Sequence, residues 1–172
     1  LEAIRENGLF IESVVVASTD KSCGSYGIDK MPYKEDYPLL PIFPYDVSKA
    51  CADMIARSYT TDLFSMPLVV TRFCNIYGPG QLNFSAVIPD AIRSALGYSK
   101  FVPRSDGSHM RDFIYVGDVG DLYLKIGEQL SKQKEIAGEV FNAGTNRPQK
   151  IRDVIKVVYE TIENFEDFAQ VE

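Results

Sequence analysis

Apolar residues along this chain follow two spacings: short β-branched runs, and longer stretches in which they return every three or four positions. "SVVVAST" at 13–19, "PLVVTRF" at 67–73 and "EVFNAG" at 139–144 are runs of the first kind. Each is valine- or phenylalanine-bearing and closed by polar or glycine residues, which predicts a buried strand. The second kind begins with "LEAIRENG" at 1–8, the last turns of an amphipathic helix stopped by Gly8. A helix is predicted from Tyr45 to about Phe64, with Ala50, Cys51, Met54, Ile55 and Tyr59 recurring on one face. Another spans 85–97, tolerating Pro89 in its first turn and ending at Gly97. A third carries Leu122, Leu124 and Ile126 behind an Asp118 cap, and "IRDVIKVVYETIENF" at 151–165 is a fourth. "KFVP" and "RDFIYV" read as short strands around an "SDG" turn, and "NIYGPG" as a turn closing the second long strand. Pro32, Pro38, Pro41 and Pro44 exclude regular structure over most of 25–44. Strands separated by helices predict an α/β fold with a parallel sheet.

Composition narrows the function. With 172 residues, 45% of them hydrophobic, the chain can bury a sizeable core. The net charge of −6 argues against a nucleic-acid backbone or an anionic membrane as the main partner. No apolar run approaches the roughly 20 residues that span a bilayer. Cys23, Cys51 and Cys74 are isolated and lack metal-ligand spacing, so they read as reduced thiols of a cytoplasmic protein. The single His109 cannot anchor a metal and reads as a loop or substrate-edge residue.

The chemistry gathers at two places. The first long strand ends in Thr19, Asp20 and Lys21: a hydroxyl, a carboxylate and an amine in succession. A strand that merely stops needs only a turn residue, and the plain alternative is that Asp20 caps a turn and Lys21 is solvated. "YDVSK" at 45–49 then sets Tyr45 and Lys49 on one helix face. A cation beside a phenol stabilises the phenolate, which makes such a pair a proton carrier. Alone, the spacing is equally that of an ordinary surface pair.

Taken with Thr19, the pair makes the chain resemble the extended short-chain dehydrogenase/reductase family, in particular its sugar-nucleotide epimerases and 4,6-dehydratases. "VVVASTDKSCG", "FPYDVSKACADMIARSY", "VVTRFCNIYGPG" and "MRDFIYVGDV" fall in the family's order, and the resemblance runs from residue 1 to about 160. It implies the C-terminal part of a Rossmann-type doubly wound parallel sheet plus a small substrate-binding lobe. Residues 1–80 would be the C-terminal portion of the NAD-binding domain. Residues 81–172 would be mainly the substrate lobe, with one strand, about 139–143, returning to the sheet or flanking it. The family's glycine-rich TGxxGxxG turn, which holds the dinucleotide pyrophosphate, does not occur in these 172 residues. "GSYG" at 24–27 has the wrong spacing and follows the wrong strand. The expectation is therefore a chain equivalent to the C-terminal half to two-thirds of such an enzyme.

The resemblance also implies roles. Tyr45 would exchange a proton with the sugar 4-hydroxyl, Lys49 would bond the nicotinamide ribose of NAD, and Thr19 would bond the same sugar oxygen. Asp20 and Lys21 fill the positions where 4,6-dehydratases add an acid and a base. The dTDP-glucose type has Asp-Glu there; the Asp-Lys found here is similar to the CDP-glucose 4,6-dehydratase pattern and also occurs in inverting UDP-N-acetylglucosamine dehydratases. This favours dehydration over 4-epimerisation or reduction. Asn75 and Arg111 resemble the residues that contact the diphosphate of a nucleotide-sugar, with Asn83 and Arg104 weaker candidates in the same lobe. Arg72 is equally readable as a structural ion-pair partner or a ligand contact, Asp112 as holding Arg111 or a backbone amide, and Asn142 as a site-lining or a turn residue. The helix of Tyr45 packs two subunits together in family members, so a homodimer is expected. A non-catalytic nucleotide-sugar-binding or dimerising remnant is the reading from another class.

Overall fold

The computed structural model describes residues 1–162. Its elements are α1 (Glu2–Glu6), β1 (Val14–Thr19), α2 (Pro44–Ser58), β2 (Leu68–Phe73), β3 (Asn75–Tyr77), α3 (Val87–Ala95), β4 (Met110–Arg111), β5 (Phe113–Tyr115), α4 (Val116–Lys132), β6 (Val140–Ala143), β7 (Gln149–Lys150) and α5 (Ile151–Thr161). They form two compact units: Leu1–Cys74 with Gly117–Gly144, and Asn75–Val116 with Thr145–Glu172. The strand expected at about 139–143 returns to the sheet as β6, and α4 packs with the first unit as well. The last predicted helical residues, 163–165, lie outside the described residues.

In the first unit the three long apolar runs become one parallel sheet in the order β1-β2-β6. β2 is central and all six of its residues are buried, as expected for a near-continuous apolar run covered on both faces. Its alternate side chains enter opposite layers. Leu68 and Val70 pack with Ala56, Met66 and Val140 beneath α1 and α2, whereas Val69 packs with Ile126 and Leu130 beneath α4. Fully burying a residue such as Leu68 or Leu130 contributes about 1.5–3 kcal/mol, so the helices are held mainly by this burial. The register pairs Thr19 with Phe73 and Phe73 with Ala143, so the three strands present their carboxyl ends at one level.

α2 departs from its predicted face. Pro44 occupies its first turn, where the fixed φ and the missing N–H are tolerated. The buried residues are Ala50, Asp53 and Ala56, while Cys51, Met54 and Ile55 of the predicted stripe point outward. Small side chains and one charge bring this helix close to the sheet, so the larger apolar residues are left on the far side. α2 also stops at Ser58 rather than near Phe64. The hydroxyls of Thr60 and Thr61 donate to the carbonyls of Arg57 and Ser58, offering the chain a turn in place of further helix.

In the second unit α3 and α5 pack through Ala91, Ala95, Phe101, Ile155 and Tyr159. The Tyr159 hydroxyl donates to Ser94 Oγ at 2.8 Å, and that oxygen also accepts from the Phe101 amide. β3 pairs in parallel with β5, and β4 pairs antiparallel with β7. Three expectations are corrected here. Residues 100–103 form no strand, because Ser94 and the α3–α5 core take up Phe101 instead. Asn75–Tyr77 is a strand and not part of the turn, since Asn75 pairs with Phe113. Asp118 lies within the first turn of α4, which begins at Val116, and so does not precede the helix as a cap. Among the described residues no helix is long and apolar enough to cross a membrane.

Candidate active site

β1 ends because its last side chain begins the next element. Thr19 keeps extended dihedrals, and its Oγ1 accepts from the Lys21 amide at 3.4 Å, opening a single 3-10 turn over Asp20–Cys23. The same hydroxyl donates to Asp20 Oδ1 at 3.2 Å, and Ser22 Oγ donates to the Thr19 carbonyl at 2.7 Å. Ser22 and Cys23 are fully buried and pin the turn, which leaves Asp20 and Lys21 half-buried at its outer side. Lys21 Nζ stands 3.5 Å from Asp20 Oδ1. Hydroxyl, carboxylate and amine therefore form one contiguous group at the carboxyl end of a parallel strand, the usual location of α/β sites.

α2 packs against this turn. Its first turns carry Tyr45, which is exposed, and Lys49, whose Nζ lies 5.9 Å from the Tyr45 ring centroid. One turn further on, Asp53 is fully buried and receives a two-pronged contact from Arg72: Nε to Oδ2 at 2.8 Å and Nη2 to Oδ1 at 3.3 Å. Arg57 adds a third bond to Asp53 Oδ1 at 2.9 Å. Burial alone disfavours the Arg72 charge, but the hydrogen bonds and charge of Asp53 outweigh it and hold the guanidinium above its ordinary pKa. Arg72 is thus an ion-pair partner, which resolves the alternative left open by the sequence. Burial raises the Cys23 thiol pKa, against the opposing pull of Arg72, and keeps that thiol neutral.

The proline-rich segment is strapped over the sheet. Arg72 Nη1 donates to the Glu35 carbonyl, Asn142 Nδ2 to the Tyr33 carbonyl, and the Asn142 amide to Glu35 Oε1. The Leu40 amide returns to the Cys23 carbonyl at 3.0 Å. Asn142 is therefore a strand residue that holds a loop. Sequence reasoning missed Asp53 and Glu35. For Asp53 a signal existed, because Tyr45, Lys49, Asp53 and Arg57 recur every four residues on one helical row. For Glu35 there was none.

The remaining predicted residues all lie in the second unit. Asn75 does not reach outward: its Nδ2 donates to the Asp112 carbonyl at 2.9 Å. Asp112 accepts from the Phe113 and Asn146 amides and from the Thr145 hydroxyl, so it organises backbone rather than Arg111. Arg111 is exposed, with Nη1 on the Met110 carbonyl. Asn83 Oδ1 accepts from the Ser85 amide just before α3. Arg104 lines a cleft of about 560 Å³ with Val87, Phe101, Asp106, Arg152 and Ile155. Hydrogen bonds from the Ser108 amide and hydroxyl hold the Asp106 carboxyl below its ordinary pKa. His109 is a loop residue whose carbonyl accepts from Ile151 at the start of α5.

Residues 1–144 match the family described as "NAD dependent epimerase/dehydratase family". A human dTDP-D-glucose 4,6-dehydratase is 32% identical over 168 residues, covering 92% of this chain and 45% of that protein. The structure of a Bacillus anthracis dTDP-glucose 4,6-dehydratase in complex with NAD matches with a TM-score of 0.79 and 33% identity, over 94% of this chain and 49% of that one. An NAD-dependent NDP-hexosamine 5,6-dehydratase involved in tunicamycin biosynthesis matches with a TM-score of 0.81 and 29% identity, over 95% and 50%. The chain spans about half the length of the curated relatives it matches. The order of these motifs, the parallel sheet that carries them and the matched family model agree, and the chain belongs to the NAD-dependent epimerase/dehydratase family.

Proposed function

We propose that this chain carries the catalytic turn and substrate lobe of an NAD-dependent nucleotide-sugar 4,6-dehydratase. The observation that carries the proposal is the contiguous Thr19–Asp20–Lys21 group, with the Tyr45–Lys49 helix packed against its turn. NAD fits the residues present at one end. Lys49 and Tyr45 offer a cation and a hydroxyl to its ribose. Beside Thr19, the buried Ser18 Oγ has no hydrogen-bond partner among the described residues, leaving bonding capacity at the strand end. A glycine-rich pyrophosphate cradle is not among these 172 residues. When bound, NAD would supply a hydride acceptor for C4 and, after water loss, a hydride donor for C6, so that C4 remains a ketone and no net redox change is left on the cofactor.

The chain's own residues move protons. Tyr45 takes the proton of the 4-hydroxyl while Thr19 holds the same oxygen. With C4 a ketone, the C5 proton is acidified, so Lys21 is placed to remove it and Asp20 to protonate the departing 6-hydroxyl. The contact between Asp20 and Lys21 supports this division, because the acid and base of a water elimination must serve neighbouring carbons. Arg111, Arg104 and Asn83 would serve the nucleotide diphosphate, with the exposed Arg111 fork best suited to it, whereas the Asn75 amide is taken up by the Asp112 carbonyl. A second copy of the chain is the further partner, supported by the outward Val47, Met54 and Ile55 of α2. The free thiols of Cys23 and Cys51 support a reducing, cytoplasmic setting.

Incubation with NAD and CDP-, dTDP- or UDP-glucose, followed by base, should generate the absorbance of a 4-keto-6-deoxy sugar. Lys21→Ala should retain C4 oxidation and lose water elimination. A 4-epimerase or reductase would be indifferent to that substitution. Nucleotide-sugar binding in calorimetry without any product would leave the non-catalytic reading.

A further inference from the structure

We infer that Arg72 and Asp53 are positioning residues that fix where the helix bearing Tyr45 and Lys49 stands relative to the Thr19–Lys21 turn. Their effect on turnover rests on the dehydratase reading; their effect on geometry does not. They are the two charged side chains that are buried among the described residues, at 1% and 0% exposure. Arg72 lies opposite Ser18 in β1, one residue before Thr19, and opposite Asn142 in β6. Its guanidinium grips both oxygens of Asp53 on α2, donates to the Glu35 carbonyl at 3.2 Å, and reaches Cys23 Sγ at 3.9 Å. One planar group thus joins four parts of the first unit: the central strand, the helix, the strapped segment and the turn. Asp53 is one helical step from Lys49 and two from Tyr45 on the same row, so the anchored point and the reactive side chains move together.

A buried ion pair is weak support for stability, since well-packed apolar residues of similar volume often replace it at no loss. What apolar residues cannot supply is direction. The helix contributes small residues to this interface, Ala50 and Ala56, which leave it free to slide or rotate on the sheet. The fork removes that freedom. Arg57, itself 39% exposed, keeps a second hold on Asp53 and can turn to water when Asp53 is lost. Folding should therefore survive removal of the pair.

The test uses the full chain with the double substitution Asp53→Leu/Arg72→Met and the single Arg72→Lys. The double variant should melt within about 5 °C of the parent. Its amide resonances should nevertheless shift at Asp20 and Lys21 and across Tyr45–Ser48, residues whose side chains are not bonded to Asp53 or Arg72. Turnover of a nucleotide-sugar should fall about 10- to 100-fold in kcat with KM changed less than about 3-fold, as expected for a misplacement near 1 Å. Arg72→Lys keeps the charge without the fork and should show the same split. Resonance shifts confined to the neighbours of 53 and 72, or an unchanged kcat, would overturn the inference. So would a loss of more than about 15 °C in the double variant, which would make the pair a simple fold requirement. If the parent converts no nucleotide-sugar, the dehydratase reading fails, and the resonance shifts alone decide the positioning role.

Discussion

Gly24 closes the Asp20–Cys23 turn, and replacing it with alanine perturbs that turn without altering Thr19, Asp20 or Lys21. Gly24 sits at φ 83° and ψ −155°, a region that is essentially glycine's alone. A methyl group there would lie 1.9 Å from the Leu40 carbonyl oxygen and 2.4 Å from its carbon. Ordinary contact begins at 3.4 Å, so the Leu40 backbone would have to retreat by about 1.5 Å, the difference between those two distances. The retreat breaks the bond from the Leu40 amide to the Cys23 carbonyl, which contributes about 0.5–1.5 kcal/mol. The backbone strain adds about 1–3 kcal/mol. Together the expected loss is about 2–4 kcal/mol, or roughly 5–15 °C in Tm for a chain of this length. Gly80→Ala is the control: φ is 80°, yet nothing lies within 4 Å, so only a dihedral cost of about 1–2 kcal/mol applies. Thermal unfolding by circular dichroism measures both variants, and limited proteolysis should show the Gly24→Ala segment 25–43 cut first. Equal Tm values for the two variants would refute the close approach of Leu40 and, with it, the strapped segment.

Other outcomes are expected from the same structure. Tyr45→Phe removes the proposed proton carrier at an exposed position, so kcat should drop about 100-fold or more with Tm within about 1 °C, checked by product formation and unfolding. With a thiol-specific reagent near neutral pH, exposed Cys51 should react quickly and buried Cys23 only as the chain unfolds, as peptide mapping by mass spectrometry would show. For Cys23 the folded pKa is raised, so its contribution to stability is full below the unfolded thiol pKa and lost as pH rises through the folded one; Cys23→Ser should flatten that alkaline limb of unfolding curves. Asp106 has a lowered folded pKa, so its contribution is present above the unfolded carboxyl value and lost as pH falls through the folded value. Asp106→Asn should remove that acid-limb dependence.

Much of the site could be read from the chain alone, because its parts are local. The hydroxyl, carboxylate and amine are consecutive residues, and Tyr45 and Lys49 are one helical turn apart, so any strand and any helix in those places would group them. The three β-branched runs likewise specified their strands, although only the central β2 is buried along its whole length. What adjoined what could not be read. Periodicity marked Cys51, Met54 and Ile55 as a coherent stripe, but whether a stripe meets the sheet or the outside depends on the partner surface. Here the sheet offers Arg72, whose charge must be matched, and Asp53 on the opposite side of the helix matches it. Asn75 shows the same limit in the second unit. Its amide looked available to a ligand, yet it completes the backbone bonding of Asp112, 37 residues away.

The sequence by itself therefore determined the three long strands, the presence of the main helices and the grouping of Thr19–Lys21 and of Tyr45 with Lys49, all of which follow from spacing over a few residues. Only the tertiary structure decided that Arg72 joins Asp53 across 19 positions, that Glu35 and Asn142 tie a proline-rich segment to a strand 107 positions away, and which face of α2 is turned inward. Those outcomes depend on satisfying buried charges and backbone groups at one point in space, a condition that no local pattern records.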